Sequence, residues 1–342
     1  MRNYALEWKN SVNFRQFSYD DFVSQFYNIP NTFYLEKVDG LLGILIYKEG
    51  KKPFFQLTSG RVIADLPVLY EYEIHLKKLK IKEAILAGEL VGRKFGTVLP
   101  FNQTQSIVKT AYRKPEYRDL VHHYIVDVCY LNGKEFNFKQ STNFMSKNFG
   151  RMGLPRIHIP RLAYGNIDSF RKLYIIAKDK PGFDGVVVRD ISGKNYKVKF
   201  TGTVDLVVIG AGHIDMKAWK KNQVSYLLTS FIDSDGMFRA SSKVGTGFTF
   251  KERTALFNYI KDSTLYKKDG EFFVKPKLVV EVKFFRYRIT STPTYKFAKE
   301  RYDLVGNKKS VTLSHPGFER IRTDKKSDRY SCRLEQIPDW GK

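Results

Sequence analysis

The sequence is short of cysteine, of acid and of long apolar runs. Two cysteines, Cys129 and Cys332, occur in 342 residues. Two thiols cannot build a disulfide framework or a four-thiolate zinc site. Cys129, inside an apolar run, reads as a small core residue. The six histidines show no spaced ligand pairing, and His122 and His123 fall on opposite faces of a strand. The first residues carry no signal-peptide pattern, and no apolar stretch approaches membrane-spanning length. A soluble, reducing, cytoplasmic setting without a membrane partner is therefore expected. Acid is the other shortage: 35 Asp and Glu stand against 59 Lys and Arg, a formal net charge of +24. The excess is spread along the chain, with 32 Lys and Arg against 19 acids in residues 1–200 and 27 against 16 in residues 201–342. A surface basic throughout attracts a polyanion, which favours nucleic acid.

What is present argues for folded domains. Apolar residues make up 42% and aromatics 15%, well above a disordered composition. The length suits two cores, and a division into 1–202 and 203–342 is expected, with a hinge at Thr201 to Thr203. Residues 1–32 are polar and aromatic without clear period and read as strand and short helix at a domain edge. Tyr34 to Lys37 and Leu41 to Tyr47 are short strands around Gly40, and Phe54 to Thr58 continues the meander. A helix is expected from Pro67 to Leu79, with Pro67 in its first turn. Buried strands follow at Ala84–Val91 and Tyr124–Leu131. A second helix is expected at Asp168 to Ala177, capped by Asp168. Asp184 to Arg189 and Asn195 to Phe200 pair around a Ser192-Gly193-Lys194 turn. Beyond the hinge, short strands at 204–210, 224–231, 237–244 and 278–285, with one helix near 250–260, suit a five-stranded barrel of oligonucleotide-binding type.

Chemistry concentrates at a few positions. Lys37-Val38-Asp39-Gly40 places an amine at a strand end. Such an amine becomes a nucleophile only when it loses its proton, through a neighbouring positive charge or desolvation. Glu89 interrupts an apolar strand, where a carboxylate is costly unless it meets a cation or lines a cleft. Lys197 and Lys199 share one strand face by the period of two. Two ammonium groups side by side repel unless a polyanion lies between them, and a triphosphate meets that need.

In this order, Lys37-Val38-Asp39-Gly40, Glu89, Asp184-Gly185, Lys197-Val198-Lys199 and Arg320-Ile321-Arg322-Thr323-Asp324-Lys325 resemble the motifs of the covalent nucleotidyltransferases, the superfamily of ligases and mRNA-capping enzymes. The series is most similar to that of the ATP-dependent DNA ligases, and the resemblance runs from about residue 33 to the C-terminus. It implies an α+β fold: an adenylation (nucleotidyltransferase) domain with mostly antiparallel sheets, followed by an all-β OB-fold barrel. It implies ATP and Mg²⁺ as cofactors, AMP carried covalently on Lys37, and nicked double-stranded DNA as partner of a monomer. By the same resemblance Lys197 and Lys199 serve the α-phosphate, and Glu89 the ribose or a metal. Asp184, where glutamate is usual, holds a divalent metal. Tyr124 matches the aromatic that stacks on adenine, and Glu36 lies near the base through its backbone. Asp39 belongs to the nucleophile turn, and Arg61 matches the next arginine motif with one glycine intervening. Arg322, Asp324 and Lys325 close over the pyrophosphate in the first step. Val244 to Phe248, Lys275-Pro276 and Val279 to Val282 resemble ligase barrel segments.

The sequence departs from that pattern at Leu42, where a ribose-binding arginine is usual, and at His315-Pro316-Gly317, where Arg-Pro-Arg is usual. The 36 residues before Lys37 are too few for the extra domain of NAD-dependent ligases. They also leave no room for the separate DNA-binding domain of large eukaryotic-type ligases, so a compact viral or prokaryotic form is expected. Three alternatives stand beside DNA ligase: an ATP-dependent RNA ligase, a capping guanylyltransferase, and a non-catalytic nucleic-acid-binding OB protein. For the last, Tyr287, Arg288, Tyr295, Lys296, Arg301 and Tyr302 offer stacking and phosphate contacts. The basic, aromatic insert from Phe284 to Val311 is either a DNA contact or a plain loop.

Overall fold

The structure is a computed structural model that describes residues 2–30, 32–150, 153–178, 180–190, 193–212, 221–337 and 340. The chain divides into two compact units, Met1–Phe200 and Thr201–Lys342.

The first unit is built on two sheets. In the five-stranded sheet the order is Arg15–Phe17, Asn195–Lys199, Phe183–Arg189, Thr32–Val38 and Leu162–Gly165. In the larger sheet Val121–Leu131, Glu83–Lys94, Leu41–Lys48 and Phe54–Leu57 are neighbours. Most pairings are antiparallel; Arg15–Phe17 and the short strand Ile157–His158 pair in parallel. Leu45, Phe55, Leu86, Leu90, Ile125 and Val128 turn one face of the larger sheet toward a core that helix Pro67–Lys78 covers with Leu69, Tyr72 and Leu76. That helix starts on Pro67, whose missing N–H costs nothing in a first turn. Tyr34, Val186, Val188, Tyr196 and Val198 give the five-stranded sheet its own core beneath Phe170, Leu173 and Tyr174 of helix Ile167–Lys178. Full burial of such side chains contributes roughly 1.5–3 kcal/mol each. The remaining face of each sheet borders the cavity described below. Thr32–Val38, Phe183–Arg189 and the middle of Glu83–Lys94 are buried on both faces and read as near-continuous runs, whereas Asn195–Lys199 alternates.

Several sequence expectations need correction. Asp168 lies inside the helix, where it pairs with Arg171 at 3.0 Å, and Asn166 accepts the Asp168 N–H at 3.1 Å. Cys129 is half-buried, packed against the small cluster of Ala5, Ile44 and Ala87 rather than inside it. Gly202 and Thr203 of the expected hinge open a strand paired with Phe284 and Lys283, just beyond the division between Phe200 and Thr201. Ser192, expected in the turn after Arg189, lies outside the described residues. Helices Phe101–Thr110 and Phe138–Asn148 were not foreseen; the second starts with a reciprocal Asn137–Gln140 capping box.

The second unit is a curled, antiparallel nine-stranded sheet. Strand Gly202–Gly212 pairs along its first half with Val279–Phe284 and along its second half with Glu271–Val274, so the sheet must bend there. Helix Phe250–Ser263, opened by a Thr249–Glu252 capping box, adds Leu256, Phe257 and Ile260 to the core. The insert after Phe284 is no plain loop: Arg286–Ala298 and Arg301–Ser314 form a long hairpin. Lys299 and Glu300 form its two-residue turn at φ 47° and 59°, the twist that matches paired strands.

Candidate functional site: an amine, acids and paired lysines between two sheets

Strand Thr32–Val38 belongs to one sheet and strand Leu41–Lys48 to the other, so Asp39 and Gly40 carry the chain across rather than closing a hairpin. Glycine is required at position 40 by proximity. A Cβ there would lie 2.6 Å from the Leu90 carbonyl oxygen and 2.9 Å from Glu89 Cβ. The crossing thereby sets Lys37, from the first sheet, against Glu89, from the second.

Cross-strand register assembles the rest. Lys37 stands opposite Gly185, and Gly185 opposite Lys199; one step on, Leu35, Val187 and Lys197 form the next row. A bulge between Phe183 and Gly185 breaks the alternation and lets Asp184 join the Lys37 face. Gly185 has φ 154°, and a Cβ on it would meet the Val198 carbonyl oxygen at 2.1 Å, which only glycine avoids. As a result Asp184 Oδ1 accepts from Lys37 Nζ at 2.6 Å, and Asp184 Oδ2 lies 3.7 Å from Lys199 Nζ. Lys197 Nζ sits 4.2 Å from the centre of the Phe14 ring.

The electrostatics follow from burial and this crowding. Burial opposes the charge on Lys37, but Asp184, Glu89 and Asp39 outweigh it and hold the ammonium above its ordinary value. Burial pushes the Glu89 carboxyl up to about 7, with the negative charges of Asp39 and Asp184 adding to it and Lys37 opposing. Burial, and then the neighbouring Lys37, lower Lys197 to about 8. Glu89 Oε2 is buried without a hydrogen-bond partner, an acceptor that a cation or a hydroxyl would satisfy. Among the described residues no group of three or more His, Cys, Asp or Glu has metal-holding geometry. Two neighbouring carboxylates, of which Glu89 lines the cavity, still suit Mg²⁺, which keeps several of its waters and takes one or two acids.

Lys37, Glu89 and Lys197 line one cavity of about 250 Å³, together with Trp8, Phe14, Leu35, Glu36, Leu42, Thr58, Val126, Val187 and Arg189. Leu42 thus fronts the cavity where the resemblance expected arginine. Two expected residues are elsewhere. The Arg61 guanidinium donates to the Lys109 carbonyl at 3.1 Å and lies over the Tyr112 ring, away from this cavity. Tyr124 packs with Val38, Val91, Val98 and Phe183 and lines a different cavity. Tyr124 fails because the strand partner that matters is two residues on: Val126 is the one facing Lys37's cavity. The Glu36 carboxylate also turns away, accepting the Arg161 N–H at 3.1 Å and pairing with Lys180. In the second unit, Arg322 forks onto Asp324 at 2.9 and 2.8 Å and reaches Asp205 at 2.9 Å; Lys325 lies 3.8 Å from Asp205.

Sequence reasoning missed Trp8, Phe14, Asp127 and Arg189. Arg189 Nη1 donates to Asp127 Oδ2 at 2.9 Å, and Trp8 Nε1 donates to the same oxygen at 3.2 Å. The available signal was the pair of charges, each ending or interrupting an apolar run, since such charges are rarely buried unpaired.

Fold and site together define an α+β protein, with mostly antiparallel sheets, whose first unit holds a cavity of about 250 Å³ lined by Lys37, Lys197 and Glu89 among other residues. The family model described as ATP dependent DNA ligase C terminal region matches residues 220–325. The DNA ligase of Methanosphaerula palustris is 26% identical over 266 residues, covering 71% of this chain and 43% of the relative. DNA ligase 2 of Thermofilum pendens is 25% identical over 335 residues, covering 85% and 52%. The chain spans about half the length of the curated relatives it matches. Among solved structures, one from a structure–function study of Lig E DNA ligases shares the fold at a TM-score of 0.53 and 17% identity, covering 91% of this chain and 99% of that one. Another, Pmar-Lig_PreS3, has a TM-score of 0.59 at 17% identity, covering 90% and 67%. The chain is thus similar to DNA ligases over most of its length, and over residues 220–325 to the C-terminal region of the ATP-dependent ones.

Proposed function

We propose that the chain is an ATP-dependent DNA ligase that seals nicks in duplex DNA. The observation that carries the reading is the Lys37 amine, 2.6 Å from Asp184, in a cavity it shares with Glu89 and Lys197. On this reading the first unit is the adenylation domain and the second an OB barrel, acting as a monomer.

The amine attacks the α-phosphorus of ATP as the bond to pyrophosphate breaks, leaving AMP on Lys37 through a phosphorus–nitrogen bond. That AMP passes to the 5′-phosphate of a nick, and the 3′-hydroxyl displaces it as the phosphodiester forms. Asp184 orients the Lys37 side chain, and Lys197 and Lys199 neutralise phosphate oxygens from the adjacent strand. A triphosphate between those two lysines favours their charged forms, so binding draws Lys197 back toward its ordinary value. Glu89 and Asp184 would hold Mg²⁺, and the orphaned Glu89 oxygen fits that role. Once bound, the ion supplies positive charge that offsets the triphosphate and weakens the carboxylate field keeping Lys37 protonated. The basic surface of both units grips the DNA backbone, and Arg322, Asp324 and Lys325 serve the pyrophosphate.

Incubation with ATP labelled at the α-phosphate tests this. The protein should carry label through denaturing electrophoresis, and Lys37→Ala should carry none. A wild type that stays unlabelled sinks the proposal. Nicks with DNA or RNA on either side of the break separate DNA from RNA ligase, and GTP in place of ATP tests the capping alternative.

A further inference from the structure

The geometry points to Trp8, on the first helix of the chain, as the residue that stacks on the purine base. The inference rests on the nucleotide reading above and deepens it. The cavity lining is mixed: the charged Lys37, Glu89 and Lys197 share it with the aliphatic Leu35, Leu42, Val126 and Val187, Leu42 standing opposite Glu89 and Leu35 and Val187 in the same row as Lys197. Aliphatic walls exclude water from a base but offer it no π surface. The aromatic side chains lining this cavity are Trp8 and Phe14, and Phe14 already lies under the Lys197 ammonium. Tyr124 is not available, because it lines another cavity.

Trp8 is held as a platform. Its indole N–H is fixed on Asp127 Oδ2 at 3.2 Å, and Arg189 holds the same oxygen at 2.9 Å. Arg189 is in turn oriented by Asn195 at 2.8 Å. Trp8 lines both this cavity and the neighbouring one, as does Arg189. Helix Tyr4–Val12, which carries it, is tied to the sheets: Gln56 accepts the Tyr4 N–H at 2.8 Å and Asn195 donates to the Val12 carbonyl at 2.8 Å. A tethered indole needs little further ordering when a planar base arrives, so the contact is gained at low entropic cost. Base–aromatic stacking of this kind is worth on the order of tenfold in affinity when the ring is removed.

The test uses the full chain. In a Trp219→Phe, Trp340→Phe background, Trp8 is the remaining tryptophan of three. Its emission should be quenched saturably by a non-hydrolysable α,β-methylene analogue of ATP and not by inorganic tripolyphosphate, which has no base. In self-labelling, Trp8→Ala should raise the KM for ATP about tenfold and leave the maximal rate within about twofold. Trp8→Phe, which keeps a ring but loses the Asp127 bond, should stay within about threefold of wild type. Tripolyphosphate inhibition should be unchanged in both variants. An unaltered KM in Trp8→Ala overturns the inference. So does equal loss of nucleotide and tripolyphosphate affinity, or an emission that ignores the analogue. If Trp8→Ala does not fold, the Phe variant and the quenching decide. A wild type that binds the analogue with quenching yet never labels would refute the ligase reading while leaving the base site standing.

Discussion

Glu89→Gln should make the protein more stable at neutral pH and leave it unchanged in acid. Burial raises the Glu89 carboxyl from 4.5 to about 7, and its Oε2 has no hydrogen-bond partner. Between those two values the folded state holds a proton that the unfolded state has lost. Stability therefore falls as pH rises through the window, at roughly 1.4 kcal/mol per pH unit, or about 3 kcal/mol across it. Glutamine matches the protonated acid in shape and does not titrate, so this loss is absent from the variant. The two proteins should unfold alike near pH 4.5. By pH 7.5 the variant should lead by up to about 3 kcal/mol, roughly 6–12 °C in the melting point of the first unit. Lys197 does not blur the comparison, since it is lowered only to about 8 and titrates above the window. The assay is urea unfolding of both proteins at several pH values without divalent ions, taking the difference so that common titrations cancel. Added Mg²⁺ at pH 7.5 should then stabilise the wild type and not the variant. A difference that stays constant with pH would refute the burial argument.

Three other outcomes are expected. Gly40→Ala places a Cβ 2.6 Å from the Leu90 oxygen; it should cost about 1–3 kcal/mol and slow self-labelling by moving Lys37 from Glu89, both read on one purified variant. Arg322→Ala removes the main cation on Asp205 and should lower the melting point of the second unit. If that segment serves pyrophosphate, the variant should lose self-labelling far more than sealing of a pre-adenylylated nick. Replacing the exposed Arg288, Lys299 and Lys308 of the long hairpin by alanine should weaken binding to nicked duplex and flatten its salt dependence, by roughly 0.9 in log–log slope for each phosphate no longer neutralised; an unchanged slope removes the hairpin from the DNA interface.

The sequence by itself determined a good part of this protein. Local signals set the ends of helix Pro67–Lys78 and the pairing of the Asp184 and Lys197 strands, because proline in a first turn and a period of two act within a few residues. The order of Lys37, Glu89, Asp184 and the lysine pair was legible, as was the excess of positive charge. What only the tertiary structure decided concerns faces and neighbours. Tyr124 and Val126 lie two residues apart on one strand, yet they line different cavities, because bulges in its pairing with Glu83–Lys94 shift the alternation. Arg61 was drawn off by Lys109 and Tyr112, neither near it in sequence. Trp8, Asp127 and Arg189 meet from three distant segments, and no local period carries that information. A chain encodes its strands through short-range periodicity, but which side chains share a cavity depends on register, bulges and a crossing such as Gly40, and those are set only when the sheets pack together.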